Sequence, residues 1–340
     1  MQRTVRHVIV LAACCALVLL VSGAALAQSY TAKALVSDVT GKAPHIDPLL
    51  GNPWGLAYGP GEPFWISDES TGWSTLYDGA GNPQSLKVVI PAASGTGAGT
   101  PTGIVYNGSN QFAIDSWVSA FLFCTLDGTI QGWSSFDPST TLIGATQAGA
   151  VYTGLAISNH TSNNLLFAAD SANNKVDVYN GSFSLVNSFT DPKVPAGYAP
   201  FGIQDINGQV YVTYAAQNGG PNGAVDIFTE SGTLVKRLVV GKPLNQAWGL
   251  AVAPSNFGPL SGTLLVTNNT ASGTINGFSL TTGKLVGTVS NSAGKPIVIN
   301  GLWGIEFGGG TTNNGATNAL YFTTGPNDST GYFGVINVSN

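Results

Sequence analysis

The sequence predicts an all-β protein, a six-bladed β-propeller of four-stranded antiparallel blades, and three observations carry that prediction. Six segments align on one glycine: WGLAY at Gly55, TGIVY at Gly103, TGLAI at Gly154, FGIQD at Gly202, WGLAV at Gly249 and WGIEF at Gly304. Their spacings of 48, 51, 48, 47 and 55 residues mark a repeat architecture with a period near fifty. Behind each glycine come short runs rich in Val, Ile, Phe, Tyr and Thr, bounded by Gly, Asn, Pro and Asp, which read as strands and turns. Beyond the N-terminal apolar run, no stretch shows a helical period.

Each element can be justified in order. The chain opens with Arg3 and Arg6, an apolar run from Val8 to Val21 and small residues ending at Ala27, the pattern of a secretory signal peptide cleaved before Gln28. The run is short for a membrane span, so no membrane anchor is expected after cleavage. A lipobox at Cys14 is disfavoured because the apolar core continues past it. Within each repeat the glycine segment is the first strand, and PFWISD, FLFCTL, LLFAAD, VYVTYA, LLVTNN and LYFTTG are the second strands in chain order. WSTLYD, TIQGW, KVDVY, AVDIF, TINGF and YFGVINV are the third, and most repeats carry a fourth, as in SLKVVI, SLVNSF, TLVKRLVV and KLVGTV.

The sixth repeat ends with three strands. The N-terminal run YTAKALVSD is expected to supply its fourth and to clasp the ring. Seven blades would need a unit that the sequence lacks, and a β-sandwich would not explain six aligned glycines. The stretch VIPAASGTGAGT is expected to be a loop rather than a linker, so residues 28–340 form a single propeller domain.

Removing residues 1–27 leaves ten Lys and Arg against seventeen Asp and Glu, a formal charge of −7. A basic patch for nucleic acid is therefore absent from the sequence. Cys124 is then the sole cysteine, which excludes an intrachain disulfide. Charged residues make up only 9% of the chain against 43% apolar residues, which argues for a large packed core. The motif itself has a packing rationale: glycine permits close backbone approach on a crowded inner strand. The preceding aromatics, Trp54, Phe201, Trp248 and Trp303, are expected to pack between blades.

The linked stretches NPWGLAYGP, FWISDESTGWSTLYDG, LFCTLDGTIQGW, PAGYAPFGIQDINGQVYVTYA, PLNQAWGLAVAP and GLWGIEFG resemble a family of exported bacterial proteins distantly related to NHL-type propellers. The resemblance runs from about Leu35 to Gly334. It implies a secreted propeller and no established activity. Some members of that family end in a PEP-CTERM sorting tail, which this sequence does not show. Two positions depart from its pattern: Leu126 stands where an acidic residue is usual, and Glu306 stands where Ala is usual.

Standard catalytic signatures are missing: no G-x-S-x-G, HExxH, P-loop or C-x-x-C occurs. His45 and His160 both fall in predicted loops, and Cys124 in an apolar strand. At the turn after each second strand the repeats align Asp68, Leu126, Asp170, Tyr214, Asn268 and Thr324. In a propeller these turns share one face, so Asn52, Asp68, Asp170, Tyr214, Asn268 and Asn269 form the expected ligand-binding rim. Asp68, Asp170 and Asn268 offer oxygen ligands of the kind that calcium takes, and Glu69 or His45 would be the proton carriers of an enzyme. Asx turns explain the same residues without a ligand.

Glu306 aligns with Ala57, Val105, Ala156, Gln204 and Ala251. Its carboxylate should be paired, hydrated by the channel or shifted in pKa. Two functions follow from these features. The first is a secreted, monomeric binding or scaffold module that recognises an extracellular small molecule, glycan or protein. The second is a calcium-dependent hydrolase or lyase, lactonase- or esterase-like, acting at the channel mouth.

Overall fold

In a computed structural model, which describes residues 28–158 and 164–339, the chain forms six radially arranged antiparallel sheets. The expected signal peptide and His160 lie outside the described residues. Blade one comprises strands Pro53–Ala57, Phe64–Asp68, Trp73–Tyr77 and Val88–Val89. The inner strands of blades two to six are Pro101–Tyr106, Tyr152–Ser158, Tyr198–Ile206, Ala247–Val252 and Leu302–Phe307. Blade two also has a fourth strand, Leu142–Thr146, which sequence reading missed because its apolar run is broken by Gly144. Among the described residues the helical elements are two 3-10 turns, Gly258–Leu260 and Pro326–Asp328.

The N-terminal strand Ser29–Ser37 pairs antiparallel with Tyr332–Ser339 and completes blade six. Ser29 faces Ser339 across that seam, and their hydroxyls lie 2.8 Å apart. The clasp expected from the sequence therefore closes the ring.

Six core clusters fill the six interfaces between neighbouring blades, the last joining blade six to blade one. Each contains one of the aliphatic residues that follow the repeat glycines: Leu56, Ile104, Leu155, Ile203, Leu250 and Ile305. The aliphatic position of the motif thus anchors each interface, and burying such a side chain contributes about 1.5–3 kcal/mol.

The glycines form the waist of the ring. A methyl group on Gly202 would lie 1.9 Å from the Trp248 carbonyl oxygen, and one on Gly304 would lie 2.7 Å from that of Trp54. Corresponding contacts run from Gly55 to Thr102, Gly103 to Leu155, Gly154 to Phe201 and Gly249 to Trp303. Each blade's glycine therefore receives the backbone of the next blade. Thr213, Thr267 and Thr323 secure three of these seams by donating to the carbonyls of Ala247, Trp303 and Trp54.

Each inner strand also slips register at its glycine. In blade one Pro53 pairs with Asp68 and Leu56 with Ile66, so the inner strand spends one residue more than its partner. The same one-residue excess occurs in the other five blades. Such a bulge resets the alternation of side chains. The residue before the glycine and the second residue after it can then both face the central channel.

Candidate functional site

The slipped inner strands give the channel two different ends. At the entry mouth, where those strands begin, Trp54, Trp248 and Trp303 form one buried cluster with Phe201 and Leu126 against it. Trp54 stacks on Trp303 with ring centroids 3.6 Å apart, and Trp248 meets both edge-on at 6.1 and 5.9 Å. These aromatics do pack blade against blade, but at the axis and not within the six lateral interfaces. The bulge turns them toward the axis, where rings from blades one, five and six meet and close the channel. Blades two and three supply Thr102 and Thr153 at the same level, and their hydroxyls bond to the Tyr152 and Ala169 carbonyls.

Hydrogen bonds fix the plug. The Trp248 indole N–H donates to the Thr153 carbonyl at 2.8 Å, and the Trp303 N–H donates to Asn52 Oδ1 at 3.0 Å. Asn52 in turn donates from Nδ2 to Glu69 Oε2 at 2.8 Å. Burial, with a contribution from the Asp328 charge and against the Asn52 bond, raises the Glu69 pKa. The polar lead-in of the motif is also explained: Asn52, Gln246 and Gly301 each stand two residues before a tryptophan with φ of 44°, 51° and 65°. This left-handed region is one that Gly and Asn enter most easily.

The expected rim separates on inspection. Asn52 and Glu69 meet, as described. Asp68 is fully buried in blade one, accepts the Thr75 N–H at 3.0 Å and has its pKa pushed well up by burial. Asp170 accepts the backbone N–H groups of Val151 and Asn173 and a side-chain bond from Asn173. Asn268 accepts the Asn245 N–H and donates to the Pro243 carbonyl.

These three side chains fasten turns in three separate blades, because each strand end is followed by a tight turn whose donors they satisfy. Among the described residues no group of three or more His, Cys, Asp or Glu is placed to hold a metal ion.

Tyr214, also assigned to the rim, is instead fully buried in the core between blades three and four. It faces the Asp226, Asp191 and Arg237 cluster there. The Asn269 N–H donates to the Gln246 carbonyl beside the plug. His45 pairs in a two-residue strand against Val36 on the outer edge of blade six, away from the channel. Cys124 is a buried core residue, and its thiol is pushed up to about 12 by burial.

The exit mouth, where the inner strands end, is open. A cavity of about 260 Å³ is lined by Ala57, Tyr58, Val105, Tyr106, Ala156, Gln204, Asp205 and Glu306 among others. A second of about 370 Å³ shares Gln204, Asp205 and Glu306 and runs toward Ala251 and Phe307. Between plug and mouth the waist leaves only about 40 Å³ beneath Trp248. The open end follows from the small side chains at the second position after each glycine, where Ala57, Ala156 and Ala251 leave room.

Glu306 stands in both cavities and at the waist. Burial raises its pKa to about 7, partly offset by the Phe307 backbone N–H. Burial and the neighbouring Glu306 charge push Tyr58 up to about 12. Asp205 is held by the Gly208 N–H at 3.1 Å. A carboxyl poised near neutrality, an amide and two tyrosines in a concave recess can bind a small polar molecule or exchange a proton with one. Sequence reasoning singled out Glu306 and its equivalent Gln204 but missed Tyr58, Tyr106 and Asp205; the repeat alignment carries the signal, since all three flank the same position.

Fold and channel together define a six-bladed β-propeller plugged at one end. No family profile matches the chain. At the level of sequence, uncharacterized protein R648 of Acanthamoeba polyphaga mimivirus is 32% identical over 295 residues, 80% of this chain and 72% of that protein. Uncharacterized protein L690 of the same virus is 31% identical over 298 residues, covering 80% and 77%. The chain belongs to the family of these proteins.

Solved structures with the same fold include a streptogramin B lyase, with a TM-score of 0.56, 12% identity and coverage of 92% of this chain and 98% of that one. A gluconolactonase from Xanthomonas campestris has a TM-score of 0.55 at 13% identity, covering 85% and 86%. The PQQ-bound aldose sugar dehydrogenase of Streptomyces coelicolor has a TM-score of 0.55 at 15% identity, covering 91% and 98%. At such identities the likeness concerns the fold alone.

Proposed function

We propose that this protein is a ring-shaped binding module, a secreted member of the exported bacterial propeller family it resembles, whose ligand seat is the exit mouth. One observation supports the reading above others: the channel is shut at the entry side by Trp54, Trp248 and Trp303, while the exit side keeps a recess with Glu306 at its centre. The ring supplies a rigid wall, and the seat takes a small polar molecule rather than a polymer threading the channel. A thermal-shift screen of small metabolites on the native chain and on Ala57→Phe, which fills the recess from a half-buried position, tests this. Compounds that raise the midpoint of the native chain but not of the variant support the seat; compounds that act equally on both overturn it.

A second reading, a hydrolase or lyase at the same mouth, is favoured by the Glu306 pKa near 7, which suits a general acid or base at neutral pH. Calcium dependence belongs to that reading. It is tested by melting in calcium and then in EDTA, with Asp170→Ala as the ligand-set control.

A further inference from the structure

The exit mouth discriminates by charge before shape. The two cavities that meet there contain the carboxylates of Glu306 and Asp205, and among the described residues no Lys, Arg or His lines either. An anionic ligand would meet like charge there. A bare metal ion would engage the carboxylates but leave the wall of Ala57, Val105 and Ala156 uncovered. A neutral sugar would find the Gln204 amide and the tyrosine hydroxyls but would leave Glu306 without a counter-charge in a confined site.

A ligand that satisfies the whole lining carries a positive head and a small apolar body. Resting on the reading of the exit mouth as the ligand seat, we propose that its occupant is a small organic cation, a primary or quaternary ammonium compound. Its charged head lies against the Glu306 carboxylate near Tyr58, and its alkyl groups face the aliphatic wall. An ammonium head gains from a carboxylate and from the negative face of an aromatic ring together. Tyr58 stands close enough to Glu306 for the carboxylate charge to be felt at its hydroxyl. The cavity of about 260 Å³ accommodates a molecule of this size.

Isothermal titration with choline, tetramethylammonium, ethanolamine, glucose, acetate and calcium chloride, each alone, tests the proposal on the native chain, Glu306→Gln and Ala57→Phe. The expected result is binding of at least one ammonium compound, weakened tenfold or more in both variants. Its affinity should also fall as pH drops through about 7, because a bound cation prefers ionised Glu306. Binding of glucose that Ala57→Phe weakens and Glu306→Gln spares would overturn the ammonium class while sustaining the seat. Calcium binding lost in Glu306→Gln, with the ammonium compounds ignored, would do the same. Binding indifferent to both variants, or none by any probe, would overturn the seat itself. Circular dichroism of each variant confirms that a lost signal is not a lost fold.

Discussion

The two ends of the channel are formed by the same six strands, yet one is filled with indole rings and the other is a recess. The difference lies at two sequence positions. One residue before the repeat glycine, four of six blades carry Trp or Phe; two residues after it, four of six carry Ala or Val. Without the register slip at each glycine, these positions would point to opposite faces of the strand. With it, bulk at one level and smallness at the other set the profile of one channel. Packed rings fill the entry mouth, with a recess of about 270 Å³ to one side beside Phe201 and Gln246, and the exit mouth holds the recess around Glu306.

The largest loss is expected at the plug. Trp303→Ala removes a ring stacked on Trp54 and its bond to Asn52, and should cost about 3–5 kcal/mol, read as a fall in the urea midpoint. The waist comes next. Gly202→Ala drives a methyl group to 1.9 Å from the Trp248 carbonyl oxygen and should cost about 3 kcal/mol, at the upper end for overpacking. Gly154→Ala would place its methyl 3.0 Å from the Phe201 carbonyl oxygen, a tight contact but a milder one, and should cost less than Gly202→Ala, about 1 kcal/mol; equal losses in the two variants would mean that the seam does not depend on backbone contact.

Raising the pH should act through Glu306 at the exit mouth and through Asp226 in the core between blades three and four. The folded pKa values of Glu306 and Asp226 are raised to about 7 and about 8, in each case chiefly by burial. The folded protein therefore holds protons that the unfolded chain releases. Their stabilising contribution is complete below the unfolded carboxylate range near pH 4 and is lost as pH rises through about 7 and 8. Thermal midpoints should fall between about pH 4 and pH 8 and level off above. Glu306→Gln should flatten the part between about pH 4 and pH 7 and raise stability at pH 8 by about 1 kcal/mol, a shift of this size being discounted for solvent screening. A variant that melts lower at pH 8 than the native chain would show that the carboxylate is paired and not merely confined. The smallest effect is expected from calcium: on the binding-module reading calcium and EDTA should leave the midpoint unchanged, and a midpoint raised by calcium would favour the hydrolase or lyase reading.

The blade count, the order of strands and the N-terminal clasp were legible because each depends on local alternation and on a glycine repeated at a fixed interval. The fate of Trp54, Trp248 and Trp303 was not, since an extra residue in a bulge leaves no mark in the pattern of apolar residues while it reverses which way they point. Asp68, Asp170 and Asn268 aligned correctly, but alignment gives a position in the blade and not the direction of a side chain. The turns engage Asp170 and Asn268, while Asp68 is buried with one oxygen bonded to the Thr75 N–H. Leu126, the departure from the resembling family, lies against the plug, where an acidic side chain would be costly to bury. Glu306 stood out because a lone carboxylate among alanines at equivalent positions is conspicuous whatever the strand does.

The pairing of Ser29–Ser37 with Tyr332–Ser339 also has a meaning in time. In order of synthesis Ser29–Ser37 precedes its partner, with five blades appearing in between. Until Tyr332–Ser339 exists, blade six is incomplete and the interface between blades six and one lacks part of its wall. The early strand must wait unpaired, and the seam gives a closed ring only where both strands are present.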